Sequence, residues 1–315
     1  MKPDLLVTMT MPENHAELLA EDFTLHYLPR VAVDDPALDP IAEKIRFVLT
    51  NGTIGISSAL IDRLARLEII SAYGVGCENI DVAAARARGI ALSYGPGTNA
   101  HSVADLAICL MMCASRRIIA ADKAAHTGHW TEFRDKATPT ISRRRIGIVG
   151  LGMIGSGIAR RAHGCDMEIA YTGPRAKDVP WRYMDNITAL AETSDYLVLS
   201  CPGGAETRHM IDGNVLRALG PDGFLINVAR GSIVDNDALV GALKDGVIAG
   251  AAIDVYEDEP NIPDGFKTLD NMTLTPHIGG SASDANHAKY LLYMENIRAH
   301  LAGKPLASPI QIDRN

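Results

Sequence analysis

Short apolar runs alternate with helical patterns from the start of the chain. Residues 5–9, 24–28, 47–50, 69–73 and 90–94 read as strands, and stretches such as 58–67 and 82–88 read as helices. The same rhythm resumes after residue 145, with strands expected over 145–149, 168–171, 196–200, 223–228, 250–255 and 272–275. Alternation of this kind implies parallel sheets covered by helices. Between the two sets lies one long predicted helix, 100–121, whose middle is apolar on nearly all sides. Such a helix must be buried on more than one face. Joining two domains while packing on a second subunit would satisfy it. A last helix is expected over 283–301.

Length and composition narrow this picture. The 315 residues have room for two domains of roughly 100–200 residues each. Apolar residues make up 47% and charged residues 22%, the balance of a globular protein. Aromatics are only 5%, so the core must be mainly aliphatic. The net charge of −8, with no long basic run, argues against a nucleic-acid partner. It excludes no small substrate, because a local positive site can sit in an acidic protein. The longest apolar run, 106–114, is about half a membrane span, so no membrane segment is expected. Residues 1–12 lack the pattern of a secretory signal, and the chain reads as cytoplasmic. The cysteines are Cys77, Cys109, Cys113, Cys165 and Cys201, an odd number with no CxxC. That argues against a disulfide framework and a zinc site, and no metal is expected. Cys109 and Cys113, four apart in the apolar helix, read as packed core thiols.

The first motif with chemistry follows the strand Ile146-Gly147-Ile148-Val149. It is Gly150-Leu151-Gly152-Met153-Ile154-Gly155, leading into a helix. A GxGxxG alone is a weak signal, but between a strand and a helix it predicts a dinucleotide loop. Gly150 permits the turn, Gly152 lets backbone approach the pyrophosphate, and Gly155 allows close helix–strand packing. The first helical residues, Met153 and Ile154, supply unpaired N–H groups. The next strand normally ends in an acid that holds the ribose 2′-hydroxyl. Here it ends Tyr171-Thr172-Gly173-Pro174-Arg175. With Thr172 in place of a carboxylate and Arg175 able to pair with a 2′-phosphate, NADPH is expected to be preferred, with NADH possible. Taken alone, Arg175 also fits a solvated loop charge.

Three further motifs stand at strand ends: Val228-Ala229-Arg230-Gly231, Asp254-Val255-Tyr256-Glu257-Asp258-Glu259-Pro260, and Thr275-Pro276-His277-Ile278-Gly279-Gly280. Ligands bind beyond the carboxyl ends of parallel strands, so all three are expected to face the cofactor crevice. Hydride transfer from a bound dinucleotide to an anionic carbonyl compound needs a proton and a clamp for the anion. His277 can deliver the proton. Glu259 can hold the imidazole and favour its charged form. Arg230 can grip carboxylate and carbonyl oxygens with its planar fork.

With these motifs together, the sequence resembles the D-isomer-specific 2-hydroxyacid dehydrogenases, most of all their glyoxylate/hydroxypyruvate reductase branch. Tyr73-Gly74-Val75-Gly76, Asn79-Ile80-Asp81 and Val103-Ala104-Asp105-Leu106-Ala107 carry the likeness into the rest of the chain; Asp105 stands where the family has Glu. The resemblance implies the same roles for Arg230, Glu259 and His277. It implies that backbone N–H groups of Val75 and Gly76 help hold the substrate carboxylate. It also implies that Asp254 meets the nicotinamide amide and that Cys201 and Pro202 border the adenosine. Val228, Ala229, His277 and Gly279 are further cofactor contacts by the same analogy. Asn51-Gly52 fits either a plain turn or the edge of the substrate site.

The expected architecture is α/β, with two Rossmann/flavodoxin-like parallel-sheet domains. A discontinuous substrate domain spans 1–98 plus 284–315, and the dinucleotide-binding domain spans 99–283. The expected function is NADPH-dependent reduction of glyoxylate or hydroxypyruvate to the D-2-hydroxy acid by a homodimer. Rivals are a D-lactate or aryl-pyruvate dehydrogenase and, in another class, a non-catalytic dinucleotide sensor.

Overall fold

The protein is described by a computed structural model, in which residues 2–134 and 136–310 are placed. The chain divides into two units, Met1–Asn99 with Ser283–Asn315, and Ala100–Ala282.

The first unit opens with β1 (Asp4–Val7), α1 (Glu13–Asp22), β2 (Thr24–Tyr27) and β3 (Ile45–Thr50). It continues with α2 (Ser58–Arg63), β4 (Ile69–Ala72), α3 (Val82–Ala87) and β5 (Ala91–Ser93). The strands form a parallel sheet ordered β2-β1-β3-β4-β5, the flavodoxin-like order. Strands covered on both faces favour apolar residues on both sides, which is why β3 reads apolar over Phe47–Leu49 and β4 at Ile69 and Ile70. Leu6, Val48 and Ile70 point into one core with Leu60 and Ile61 of α2. Leu5, Val7, Phe47, Leu49 and Ile69 point into the other.

The second unit begins with α4 (Ala100–Arg116), α5 (Ile118–His126), α6 (Trp130–Arg134), β6 (Arg145–Val149), α7 (Met153–Gly164), β7 (Glu168–Thr172) and β8 (Arg182–Tyr183). Next come α8 (Ile187–Glu192), β9 (Tyr196–Leu199), α9 (Gly213–Leu219), β10 (Phe224–Asn227) and α10 (Asn236–Lys244). It ends with β11 (Gly250–Ile253), α11 (Asp264–Lys267) and β12 (Met272–Leu274). Its seven parallel strands run β12-β11-β10-β9-β6-β7-β8, so the order reverses at β6. This is the doubly wound dinucleotide-binding topology with one strand added. Helices α4 and α7 cover one face, and α8, α9 and α10 the other. Finally α12 (Ser283–Leu301) returns to the first unit, where Tyr293, Met294 and Ile297 close the second core.

Two expectations are corrected. The helix predicted over 100–121 is two helices, broken at Arg117, which adopts a left-handed φ of 51°. The Ser115 hydroxyl donates back to the Met111 carbonyl (2.8 Å), a bond that bends helices, and the Arg117 guanidinium lies 5.8 Å from the Phe133 ring of α6. The cysteines at 109 and 113 are not both core thiols. Cys109 is exposed and its sulfur lies 4.0 Å from that of half-buried Cys113. The apolar α4 buries Val103, Ala107, Leu110 and Met111, but Cys109 and Met112 lie on a face that none of the described residues covers.

Candidate active site

Every motif assigned to the second unit leaves the carboxyl end of a strand, and the strands are six consecutive neighbours. The loop of His277 follows β12, Asp254 and Glu259 follow β11, and Val228–Ala229–Arg230 follow β10. Cys201 and Pro202 follow β9, the glycine loop follows β6, and Thr172 ends β7 with Arg175 beyond it. In a parallel sheet all these ends lie along one edge.

The glycine loop is built from absent side chains. Gly150 has φ +91°, and a β-carbon there would sit 2.7 Å from the Cys201 backbone. A β-carbon on Gly155 would sit 2.1 Å from the Gly150 carbonyl oxygen. At Gly152 it would meet nothing within 4 Å, so open space faces the loop at the one glycine where a ligand has to approach. Gly152 caps α7 without a side-chain hydrogen bond, which leaves the N–H groups of the first turn available to an anion. Met153 is exposed and Ile154 packs on the core. The Ser200 hydroxyl donates to the Gly150 carbonyl (2.7 Å), a support that no motif marks. These features fit a dinucleotide pyrophosphate.

Thr172 is buried, and no carboxylate stands at its position. Arg175 is exposed. Lys177, two residues on, is committed elsewhere: its Nζ donates to the Leu151 carbonyl (2.6 Å) and ties this strand end to the glycine loop. Cys201 is half-buried, and burial pushes its thiol up to about 11, far from a reactive thiolate.

The Arg230 turn is shaped by Asn227, which is 1% exposed. Its side chain accepts from the Ala229 N–H (3.0 Å) and donates to the Arg230 carbonyl (2.9 Å). A buried amide that meets both partners avoids the cost of an unpaired polar group. Val228 and Ala229 are buried, so backbone is what they can present. A β-carbon on Gly231 would fall 2.1 Å from the Tyr256 carbonyl carbon, so the 230–231 backbone lies directly on the loop after β11. A β-carbon on Gly203 would likewise fall 2.9 Å from Arg230 Cγ, so Gly203 lies against the Arg230 stem.

On that loop, both oxygens of Glu259 lie 2.8 Å from His277 Nδ1. A carboxylate only accepts, so Nδ1 donates, and Nε2 is the ring nitrogen left outside this bond. Burial pushes the Glu259 carboxyl up. The hydrogen bond and charge of His277, the Tyr256 N–H (3.1 Å) and the Arg230 charge together outweigh it and hold the carboxyl below its ordinary range. His277 has a left-handed φ of 54°. That conformation is uncommon outside glycine, and the surroundings hold it. Asp254, 1% exposed, accepts from the Thr275 hydroxyl (2.6 Å) and from the N–H groups of Ile278 and Gly279 (2.9 Å each). Ser102 of α4 donates to the Gly279 carbonyl. Ser200, Asn227 and Ser102 are the residues sequence reasoning missed, and Thr275 stood in a strand-end motif without a role. Only Asn227 left a signal, as an amide closing an apolar strand where turn-forming side chains gather.

In the first unit, Val75 and Gly76 lie on the loop after β4, partly exposed. The Asn51 side chain accepts from the Ile54 N–H (2.8 Å) and so closes its own turn. A β-carbon on Gly52 would lie 2.6 Å from the Gly76 backbone, so this turn braces the Val75–Gly76 loop. Among the described residues, no group of three His, Cys, Asp or Glu side chains is placed to hold a metal ion, and no helix is long and apolar enough to cross a membrane.

A fold that binds dinucleotides and a histidine–carboxylate pair at its edge define a class, the nicotinamide-dependent oxidoreductases. The family profile of the D-isomer specific 2-hydroxyacid dehydrogenase NAD binding domain matches residues 108–279. The chain therefore belongs to the D-isomer specific 2-hydroxyacid dehydrogenases, oxidoreductases acting on CH–OH donors with a nicotinamide dinucleotide. It is 39% identical over 270 residues to hydroxyphenylpyruvate reductase of Plectranthus scutellarioides, covering 85% of this chain and 86% of that one. It is 38% identical over 274 residues to glyoxylate/hydroxypyruvate reductase A of Arabidopsis thaliana, covering 87% and 88%. Its fold matches the crystal structure of the NADPH-dependent glyoxylate/hydroxypyruvate reductase of Sinorhizobium meliloti in complex with NADP and malonate. That match has a TM-score of 0.88 at 32% identity, covering 98% of this chain and 97% of that one.

Proposed function

We propose that the protein is an NADPH-dependent reductase that converts a small 2-oxo acid, glyoxylate or hydroxypyruvate, to the D-2-hydroxy acid. The observation that carries this reading is the His277–Glu259 pair, 2.8 Å apart and within the electrostatic reach of Arg230. NADPH, when bound, supplies the hydride. His277 gives its Nε2 proton to the substrate oxygen as negative charge develops there. Glu259, ionised, orients the ring and favours the imidazolium. Arg230 engages the carboxylate and polarises the carbonyl. Val75 and Gly76 offer backbone N–H groups to the carboxylate. The 150–155 loop holds the pyrophosphate, Cys201 and Pro202 border the adenosine, and Val228, Ala229 and Gly279 contribute backbone. Asp254 holds the His277 turn, and a free lone pair on its Oδ2 remains for the nicotinamide amide.

The preference for NADPH is supported by Thr172, which puts no negative charge where a 2′-phosphate sits, and by exposed Arg175. A homodimer is supported by the bare face of the linking helices. Helix α5 buries no residue, and Ile119 and Trp130 are 62% and 63% exposed. One experiment tests the whole reading: a panel of 2-oxo acids assayed with NADPH and NADH, on protein of measured solution mass. The expected result is a dimer with higher kcat/KM for glyoxylate and hydroxypyruvate with NADPH. A clear NADH preference contradicts the cofactor assignment, a monomer the assembly, and no turnover the enzyme itself.

A further inference from the structure

The segment between β9 and α9 reaches both loops on which the proposed chemistry stands. It starts at Cys201 and Pro202, and the Thr207 hydroxyl closes it on itself by donating to the Pro202 carbonyl (2.9 Å). At Gly203 it lies against the Arg230 stem, since a β-carbon there would fall 2.9 Å from Arg230 Cγ. Further on, the His209 N–H donates to the Ser232 carbonyl (2.8 Å) and the Ile211 N–H to the Ile233 carbonyl (3.0 Å). The segment thus runs beside the chain that follows Arg230. It meets the next loop with side chains. The Arg208 guanidinium pairs with one Glu257 oxygen through Nη1, and His209 Nε2 stands 3.7 Å from the other.

Glu257 stands two residues before Glu259. In the same turn the Tyr256 N–H donates to the Glu259 carboxylate (3.1 Å), and that carboxylate holds Nδ1 of His277 (2.8 Å). Contacts therefore run from Arg208 through Glu257 and the 256–259 turn to the His277 ring. Both ends of this path carry left-handed backbone, with φ of 51° at His209 and 54° at His277. Such backbone outside glycine persists where the surroundings over-determine it. The Arg208–Glu257 pair is too open to matter much for stability, with side chains 55% and 32% exposed. A pair with little effect on the fold, fixed on the turn that aims the proton donor, can still set orientation.

We propose that Arg208 is a positioning residue for proton transfer: through Glu257 it fixes the turn of Glu259, and with it the angle of the His277 ring. The assignment rests on the reductase reading and adds a residue to it. Several charged groups bear on the donor. Glu259 and Asp254 hold it and its turn from the end of β11, and Arg230 acts on Glu259 from the end of β10. Arg208 and His209 act from beyond β9 through Glu257, His209 only when protonated. A charge effect and a positioning effect of Arg208 have opposite signs. Removing its positive charge would by itself favour the imidazolium, whereas loosening Glu259 disfavours it.

The test is the pH profile of kcat/KM for glyoxylate reduction with NADPH in Arg208→Met. The alkaline limb should move to lower pH, and kcat should fall about threefold to fivefold, the scale of an exposed ion pair. KM for glyoxylate should change least, because Asn227 holds the Arg230 turn independently. Arg208→Lys should restore most of the profile. Glu257→Gln should lower kcat by a similar factor, and the double variant should be no worse than the worse single one, as for two ends of one contact. A limb that moves to higher pH reports charge alone and overturns the positioning role, and so does an unmoved limb. Either result leaves the reductase reading intact. If the wild type turns over no 2-oxo acid with either cofactor, that reading fails instead. Hydrogen exchange of a peptide spanning 254–262, read by mass spectrometry, then decides whether Arg208 holds the turn. Faster exchange in Arg208→Met supports the hold, and equal exchange overturns it.

Discussion

The turn at 150–155 and the turn that carries His277 both leave parallel strands of one sheet, yet they are held in different ways. The first is held by what is missing. A side chain at Gly150 or Gly155 would collide with backbone, and the open space at Gly152 faces outward. The second is held by buried side chains. Asp254 collects a hydroxyl and two backbone N–H groups from the His277 turn, and Ser102 secures the Gly279 carbonyl. The difference follows from what each turn has to present in the proposed function. A loop for a pyrophosphate must bring backbone close, so it needs glycines at fixed spacing. A proton donor must be held at one angle, so it needs a rigid anchor that can come from anywhere in the fold.

The comparison can be broken from either side. His277→Ala should give the largest effect, a fall in kcat of about 100- to 10,000-fold, as expected for loss of a general acid. NADPH affinity, measured by fluorescence titration, should survive it, because the glycine loop stands apart from this side chain. Near-normal turnover would remove His277 from the chemistry. Gly155→Ala should act in the opposite sense and more mildly. The new methyl group meets the Gly150 carbonyl oxygen at 2.1 Å, so the loop has to shift. A loss of about 1–3 kcal/mol in stability is expected, as for other overpacked sites. Weaker NADPH binding should accompany it, with kcat at saturating cofactor changed least. A variant with wild-type Tm and NADPH affinity would show that close packing at Gly155 is not what the loop needs.

The same contrast explains how much could be read from the chain. The glycine loop was legible because its requirements are local and fall within six residues of one strand–turn–helix unit. The strands of both sheets were legible except β8, a two-residue edge strand too short to leave a pattern, because central parallel strands are mostly apolar. Arg230, Glu259 and His277 were legible as residue types at strand ends, each in a motif of its own. Their support was not. Ser102 and Gly279 are far apart in sequence, and no periodicity links a serine on α4 to a carbonyl beyond β12. Asp254 was assigned a ligand contact, and its hold on the His277 turn became visible only in three dimensions. The break at Arg117 was hidden as well, since α4 and α5 share one apolar pattern while the chain reverses its φ between them. Cys109 was misplaced for a related reason. A helix apolar on every side reads as buried, even where one side is left bare.

The central claim is that His277, held by an ionised Glu259, is the group that exchanges the proton. The carboxyl of Glu259 lies below its ordinary range, so it stays charged across the whole neutral region and does not itself titrate there. The pH dependence of kcat/KM, measured for glyoxylate reduction and for oxidation of the 2-hydroxy acid, therefore reports on His277. Reduction needs the imidazolium and should weaken as pH rises. Oxidation needs the neutral ring and should weaken as pH falls. Flat profiles in both directions would contradict the assignment.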